Sequence, residues 1–285
     1  MTPHWTWDNG RTGVGSTRLA GWSDGYTTDT TYQDLVNTDM CPVWFSMISV
    51  LNGQPPLAVD GSMVWLDVAC GTGAVALAAE RRCGPGSPIA AVDINPGMLA
   101  VARRKSSAIA WREAAAEALP FGDHVFDATL CQFALMFLAD RTRALREMAR
   151  VTRPGGRIGL TVFESVGDSP AYDRLVPLVG EIVGPAAAEA LAAPFCLGGP
   201  AAVTRELAAT GLAADEVRPF MGTVRHPSLD AWLDTEIGGW TLAEMVSRDA
   251  LARLKTAART VLRDHIRPDG RVAFPAAARL VIVRR

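Results

Sequence analysis

From residue 63 to residue 163, short apolar runs alternate with segments in which apolar residues recur every three or four positions. Short apolar runs that end at turn residues are typical of buried strands, and the three-to-four spacing is typical of amphipathic helices. Regular alternation of the two favours an α/β protein with a mostly parallel sheet. The pattern predicts strands at 63–66, 89–92, 128–132, 157–163, 212–220 and 276–285.

Helix boundary signals support this alternation. Asn95 followed by Pro96 predicts the start of a helix that runs to about Lys105, because Asn caps helices well and Pro is tolerated in the first turn. A second helix is predicted at 141–151, with Leu145 and Met148 facing inward. Gly155 and Gly156 are expected to end it.

The first predicted strand leads into a tight glycine turn and then a helix. Asp67 follows the apolar run, Gly71-Thr72-Gly73 forms the turn, and an alanine-rich helical pattern begins at Ala74. Glycine accepts positive φ at little cost and lets a ligand approach the backbone, while a helix N-terminus offers free N–H groups. Asp93 ends the second strand, 20 residues after Gly73, where a carboxylate can accept both hydroxyls of a ribose. The ligand is therefore expected to carry a nucleoside.

Two nucleoside cofactors compete at this point. A dinucleotide fingerprint requires G-x-G-x-x-G, but this chain places Ala69 and Ala74 at the first and last glycine positions, which weakens NAD without excluding it. The octet LDVACGTG at 66–73 instead resembles motif I of the class I S-adenosylmethionine-dependent methyltransferases. Further segments resemble the same family, among them DINPGML at 93–99, EALPF at 117–121 and the run LREMARVTRPGGR at 145–157. The segment DGRVAFP at 269–275 resembles its small-molecule, ubiquinone/menaquinone-methyltransferase-like subgroup.

This resemblance implies a Rossmann-like doubly wound sheet, mostly parallel with an antiparallel last strand, plus a mainly helical cap. It implies S-adenosyl-L-methionine as the cofactor, held by the glycine turn and by the ribose acid. The implied cofactor-binding residues are Asp67, Ala69, Cys70, Gly71, Gly73, Asp93, Ile94, Ala116, Glu117, Gln132, Phe133, Tyr26 and Tyr32. One departure is visible: Ala115 stands where the family usually has an Asp that binds the adenine amino group.

The resemblance and the spacing divide the chain into four parts. Residues 1–30 form a flexible N-terminal segment, and residues 31–163 form the cofactor-binding core. Residues 164–200 and 226–275 form a helical cap over the substrate, and 201–225 with 276–285 supply the remaining core strands and helix. Trp232 and Trp240 either line an apolar substrate pocket or fix the cap to the core.

The composition of the chain limits which partners and ligands are expected. The formal net charge of −2 gives no broad basic field, which argues against a nucleic-acid substrate. The five cysteines are scattered without a CxxC pair, so no metal site is expected. They are expected to be reduced thiols in a cytoplasmic protein. No apolar run reaches the length of a membrane span. The sequence leaves a homodimer open.

The expected reaction is methyl transfer to a small, aromatic or apolar molecule of the quinone-precursor or secondary-metabolite type. His226 and His265 are weak candidates for a general base, since no spacing singles out either of them. The alternatives are a non-catalytic cofactor-binding scaffold or sensor, which Ala115 would favour, and a protein of the same fold with non-methylating chemistry.

Overall fold

The computed structural model describes residues 63–83, 88–199, 201–238, 242 and 245–285. The strands are β1 Trp65–Val68, β2 Ile89–Asp93, β3 Ala110–Glu113, β4 Phe126–Gln132, β5 Thr152–Phe163, β6 Ala214–His226 and β7 Val272–Arg284. The helices are α1 Ala74–Cys83, α2 Pro96–Lys105, α3 Arg141–Val151, α4 Pro170–Ile182, α5 Pro185–Ala192, α6 Ala202–Ala208, α7 Leu229–Gly238 and α8 Arg248–Val261.

These strands form one seven-stranded sheet in the order β3-β2-β1-β4-β5-β7-β6. The pairs from β3 to β5 are all parallel, whereas β7 runs antiparallel to both β5 and β6. The predicted fold class, including the antiparallel last strand, is confirmed. The strand order reverses between β1 and β4, and ligands of open α/β sheets bind beyond the carboxyl ends of the strands at such a reversal.

The helix starts agree with their sequence signals. Asn95 caps α2, and its side-chain oxygen accepts hydrogen bonds from the N–H groups of Gly97 and Met98. Asp140 caps α3 by accepting from the N–H of Arg143. Both caps satisfy backbone donors that a helix leaves free at its first turn.

Several boundaries of helices and strands differ from the predictions. The end of α3 is set by Thr152, which is extended and already pairs with Phe126 in the sheet, so the expected glycine termination of that helix is wrong. β6 continues past residue 220 to His226, and β7 begins at Val272 instead of residue 276. The two strands are longer because they pair with each other along their whole length, from Ala214 opposite Val283 to His226 opposite Val272.

Three clusters of buried side chains hold these elements together. One lies between the sheet and helices α3 and α6, and another lies on the opposite face against α1 and α2. The third joins α4, α5, α7 and α8 to the far ends of β6 and β7, with Val272 and Phe274 contributed by β7. The third cluster lies in the part of the chain predicted to be a cap, and its role over the substrate stays a prediction.

A buried ion pair ties the carboxyl end of β5 to β7. Two guanidinium nitrogens of Arg279 lie 2.8 Å from the two carboxylate oxygens of Glu164, and its third nitrogen donates to the carbonyl of Gly199. A Cβ on Gly198 would lie 2.3 Å from the backbone nitrogen of Ser165, so that position accepts only glycine. Loop 196–199 is thereby fixed against the end of β5, beside the reversal of strand order.

Among the described residues, no helix is both long enough and apolar enough to cross a membrane.

Candidate functional site

The glycine turn after β1 is built from left-handed backbone. Ala69, Gly71 and Gly73 have φ values of 55°, 54° and 87°. The turn closes on itself when the N–H of Gly73 donates to the carbonyl of Cys70, and α1 then begins with Leu77 N–H donating to Gly73. Ala69 holds a conformation that costs a residue with a Cβ about 1–2 kcal/mol, and such strain clusters at ligand sites.

Gly73 is required by packing as well as by its φ. A Cβ at this position would lie 2.4 Å from Cη2 of Trp111 and 2.9 Å from its Cζ3. The indole nitrogen of Trp111 donates to the carbonyl of Ser106, which fixes the ring behind the turn. The glycine therefore lets β3 and the turn approach each other.

Asp93 connects the second strand to the same turn. One carboxylate oxygen accepts from the N–H of Gly71 at 2.8 Å, and the other accepts from the N–H of Asn95 at 2.8 Å. Burial raises the pKa of Asp93, and these backbone hydrogen bonds oppose that shift. A carboxylate has about four lone-pair sites, and the backbone N–H groups do not use all of them, so the carboxylate still has acceptor capacity. The carboxyl group is thus placed to hold a diol while it keeps the turn in place.

Asp67 lies beneath the turn and is almost completely buried. Its carboxylate accepts from the N–H of Ala76 at 3.0 Å, which satisfies one free donor of α1. Burial, with the nearby charge of Asp93 as a smaller cause, raises the pKa of Asp67 to about 8. Asp67 therefore supports the turn and the helix from below.

The raised pKa of Asp67 has a consequence for stability. In the unfolded chain an aspartate titrates near 3.9, so between about pH 4 and pH 8 the folded protein binds a proton at Asp67 that the unfolded chain lacks. The free energy of unfolding should therefore fall as pH rises through this window, by up to about 1.4 kcal/mol per pH unit from this one group. Urea unfolding of the wild type and of Asp67→Asn at pH 5, 6.5 and 8 should show this slope in the wild type and a smaller one in the variant. Equal slopes in the two proteins would mean that Asp67 is ionised in the fold.

The residues expected near an adenine lie around the ends of β2 and β3. Ile94 follows Asp93 directly, and its apolar side chain is 49% exposed. Ala116 is buried in the turn after β3, and the carboxylate of Glu117 accepts from the N–H of Asp140 at 3.3 Å. Ala115 lies in the same turn, where its carbonyl accepts from the N–H of Ala118. An exposed apolar side chain beside the buried Asp93 leaves a surface on which a purine ring can pack.

At the end of β4 lie Gln132 and Phe133. Gln132 is 6% exposed, and within the part of the chain that the structure describes neither its Oε1 nor its Nε2 has a hydrogen-bond partner. Phe133 has a φ of 47°, and its ring stacks on Phe163 with centroids 4.4 Å apart. Gln132 is the last residue of β4 and Phe133 follows it, so both lie at the carboxyl end of that strand, and their place beside the methyl group stays a prediction.

Three further candidates from the sequence lie in or beside the part of the chain predicted to be a cap. His226 is the last residue of β6, opposite Val272, and the ring of His265 packs 6.0 Å from Phe274. Burial lowers the pKa of His265, which keeps that ring neutral at physiological pH. The ring of Trp232 is 1% exposed and lies 4.5 Å from Phe274, which favours the alternative that it fixes the cap, while its place in a substrate pocket stays a prediction. Tyr26, Tyr32 and Trp240 lie outside the described residues.

Several residues that support the site could not be predicted from the sequence. Trp111 shapes the turn from 38 positions further along the chain, and the Glu164–Arg279 pair joins positions 115 residues apart. Contacts between positions so far apart leave no periodic signal in a single sequence. Asn95 was predicted only as a helix cap, although its N–H also fixes the carboxylate of Asp93.

The residues around the reversal of strand order suit an adenosine-containing cofactor. Asp93 has acceptor capacity left, and Ile94 offers an exposed apolar face. A glycine turn at a helix N-terminus and an acid on the neighbouring strand are the features with which doubly wound folds bind nucleosides. Fold and site together define a nucleoside-binding protein of the Rossmann-like, doubly wound class.

Comparison with known proteins identifies the family within this class. Residues 66–160 match a family described as a methyltransferase domain. The chain is 36% identical over 152 residues to the demethylmenaquinone methyltransferase of Thermus thermophilus, covering 46% of this chain and 69% of that protein. It is 39% identical over 131 residues to the ubiquinone/menaquinone biosynthesis C-methyltransferase UbiE of Hahella chejuensis, covering 41% of this chain and 53% of the relative. The chain belongs to the class I S-adenosylmethionine-dependent methyltransferase family, and its relatives lie in the ubiquinone/menaquinone subgroup.

The likeness extends to the fold of solved structures. The YcgJ protein of Bacillus subtilis superposes with a TM-score of 0.57 at 20% identity, covering 85% of this chain and 97% of that one. Similarity at this level shows the fold alone. The sequence matches span about half the length of most of the curated relatives, 53% for the protein from Hahella chejuensis.

Proposed function

We propose that this protein transfers a methyl group from S-adenosylmethionine to a small aromatic acceptor of the quinone-precursor type. The observation that carries the proposal is the pair of hydrogen bonds by which Asp93 holds the glycine turn, with exposed Ile94 beside it and the buried amide of Gln132 on β4. Similarity to quinone methyltransferases supports the choice of acceptor.

Each part of the cofactor has candidate partners in this chain. Asp93 would accept hydrogen bonds from the ribose hydroxyls, and Ile94 would pack against the adenine ring, near the turn that contains Ala116 and Glu117. Ala69, Cys70, Gly71 and Gly73 would form the wall beside the methionine portion, with Asp67 supporting them from below. Phe133 would lie on the side of the methyl group. Tyr26 and Tyr32 stay predicted contacts, as does Trp240 for the acceptor.

When bound, the cofactor supplies an electrophilic methyl group: the bond from methyl carbon to sulfur breaks as a bond from methyl carbon to the acceptor forms, and the acceptor loses one proton. The chain's own residues orient the reactants and exclude water. The stacked rings of Phe133 and Phe163 form an apolar wall at the end of β4, and the Glu164–Arg279 pair fixes the loop behind it. A ring activated by a hydroxyl group needs little help from a base.

The test combines binding and turnover with the full-length protein. Calorimetric titration with S-adenosylhomocysteine should give binding, and NAD should give none. Incubation with S-adenosylmethionine and 1,4-naphthalenediol, kept reduced under anaerobic conditions, should give the ring-methylated diol with one equivalent of S-adenosylhomocysteine.

Each outcome separates the alternatives. Binding of S-adenosylhomocysteine without turnover of diols, phenols, acids or amines would favour the scaffold or sensor and defeat the proposal. Binding of NAD alone would overturn the cofactor assignment. The cytoplasmic location and the lack of a nucleic-acid substrate stay predictions from the sequence. A homodimer stays possible.

A further inference from the structure

The amide of Gln132 is a buried polar group whose hydrogen bonds are not made within the described chain. Its side chain is more than nine-tenths buried, and both Oε1 and Nε2 lack a partner among the residues that the structure describes. A buried polar group without a partner loses its hydration and gains nothing in return. Such a group in a native protein needs an explanation, and a ligand that completes its hydrogen bonds is the simplest one at a strand end.

The position of Gln132 supports a ligand. It is the last residue of β4 and pairs with Thr161 of β5. By the alternation of a strand it shares a face with Leu130, which pairs with Asp67 of β1. The residue after each strand end, Ala69 and Phe133, has a left-handed backbone without being glycine. Two strained positions therefore flank the amide at the reversal of strand order.

The order of the strands indicates which reactant meets this amide. The proposed ribose partner Asp93 is on β2, and the glycine turn follows β1, so a cofactor held by both would extend along the strand ends toward β4. β4 is the next strand beyond β1, about 4.8 Å away. In-line transfer from a cofactor held in this way would place the acceptor on the far side of the methyl group from sulfur, toward β4 and β5. There Phe133 and Phe163 stack with an interplanar angle of 19° and offer an apolar wall to a flat ring.

We propose that Gln132 positions the acceptor and does not bind the cofactor: its amide pairs with a ring hydroxyl adjacent to the atom that is methylated. This inference rests on the proposed methyl transfer. A hydroxyl group is both donor and acceptor, so it can donate to Oε1 or accept from Nε2. The acceptor class is therefore a flat aromatic ring that carries a hydroxyl group, such as a quinol.

The test measures equilibrium binding, so it does not depend on turnover. The probes are 1,4-naphthalenediol and 1,4-dimethylnaphthalene, which has nearly the same shape but no hydroxyl groups. Each is titrated anaerobically into the wild type, Gln132→Met and Trp65→Phe, with and without S-adenosylhomocysteine. Trp65 is the matched control, because its buried Nε1 also lacks a partner among the described residues but lies at the opposite end of the sheet.

Gln132→Met should weaken binding of the diol about tenfold, because one hydrogen bond to a buried group is lost. The affinity for dimethylnaphthalene should stay unchanged. Affinity for S-adenosylhomocysteine should stay within about twofold. The thermal midpoint of the ligand-free protein should not fall, because the amide has no hydrogen-bond partner to lose among the described residues. In turnover, KM for the diol should rise with kcat nearly constant, the pattern of lost uniform binding. Trp65→Phe should leave the affinity for both probes unchanged.

Three results would overturn the assignment: unchanged affinity of Gln132→Met for the diol, a matching loss of affinity for S-adenosylhomocysteine, or a clear drop in the thermal midpoint. A loss of affinity for S-adenosylhomocysteine would mean that Gln132 binds the cofactor, and a drop in the thermal midpoint would mean that its role is structural. Failure of the wild type to bind S-adenosylhomocysteine would instead defeat the proposed function, and the titrations without that ligand keep the two failures apart.

Discussion

Replacing Gly73 with alanine should lower the free energy of unfolding by about 3 kcal/mol or more. Two costs combine at this position. The φ of 87° is costly for any residue with a Cβ, by about 1–2 kcal/mol. The new methyl group would also lie 2.4 Å from Cη2 of Trp111, so the indole ring or the turn must shift, and overpacking of this kind costs a further 1–3 kcal/mol or so. Urea unfolding monitored by circular dichroism measures the sum.

A matched variant separates the two costs. Gly270 has a similar φ of 82°, but a Cβ there would meet nothing within 4 Å, so Gly270→Ala should show the backbone cost alone. Trp111→Leu, in the background of Gly73→Ala, should recover part of the loss by removing the ring that clashes. Equal destabilisation at Gly73 and Gly270, or no recovery in the double variant, would contradict the proposed contact between the turn and Trp111.

Asp93→Ala should reduce affinity for S-adenosylhomocysteine at least about tenfold. The substitution removes the proposed acceptor of the ribose hydroxyls, and hydrogen bonds to charged groups contribute about 1.5–3 kcal/mol each. It also releases the N–H groups of Gly71 and Asn95, so the glycine turn loses the contact that fixes it against β2. Isothermal titration calorimetry measures the loss of affinity.

The control for this prediction is a carboxylate with similar bonds at the other end of the sheet. Asp127 accepts from the N–H of Val64 at 2.7 Å and pairs with Arg153, at the start of β4. Asp127→Ala should lower stability without changing the affinity for S-adenosylhomocysteine. If Asp93→Ala binds that ligand as tightly as the wild type does, the ribose assignment is wrong.

Much of the cofactor half follows from local sequence signals. The strand, glycine turn and helix around Gly71 are adjacent in the chain, and the caps at Asn95 and Asp140 act over three residues. Local chemistry of this kind is readable without knowledge of the fold. The class of fold follows from it, because alternating strands and helices have few ways to cover both faces of a sheet.

What could not be predicted depends on contacts between distant positions. Trp111 determines how close β3 lies to the glycine turn, and neither residue signals the other. The extent of β6 and β7 is set by their mutual pairing, so the apolar pattern of each strand taken alone ended too early. Trp232 illustrates the same limit, since an aromatic residue in a helical pattern serves a core or a pocket equally well until its neighbours are known.

The place of β7 in the sheet bears on how the protein is made. β7 is the last strand of the chain, yet it lies between β5 and β6 and supplies Val272, Phe274 and Ala276 to the core beneath helices α4, α5, α7 and α8. A ribosome releases all of those elements before it releases β7. Until then β5 has one open edge, β6 has no neighbour within the described sheet, and the cap lacks part of its interior. The described sheet and the core of the predicted cap are therefore both completed only when β7 is released. A nascent chain stalled before residue 272 would expose two unfinished apolar surfaces to chaperones and proteases.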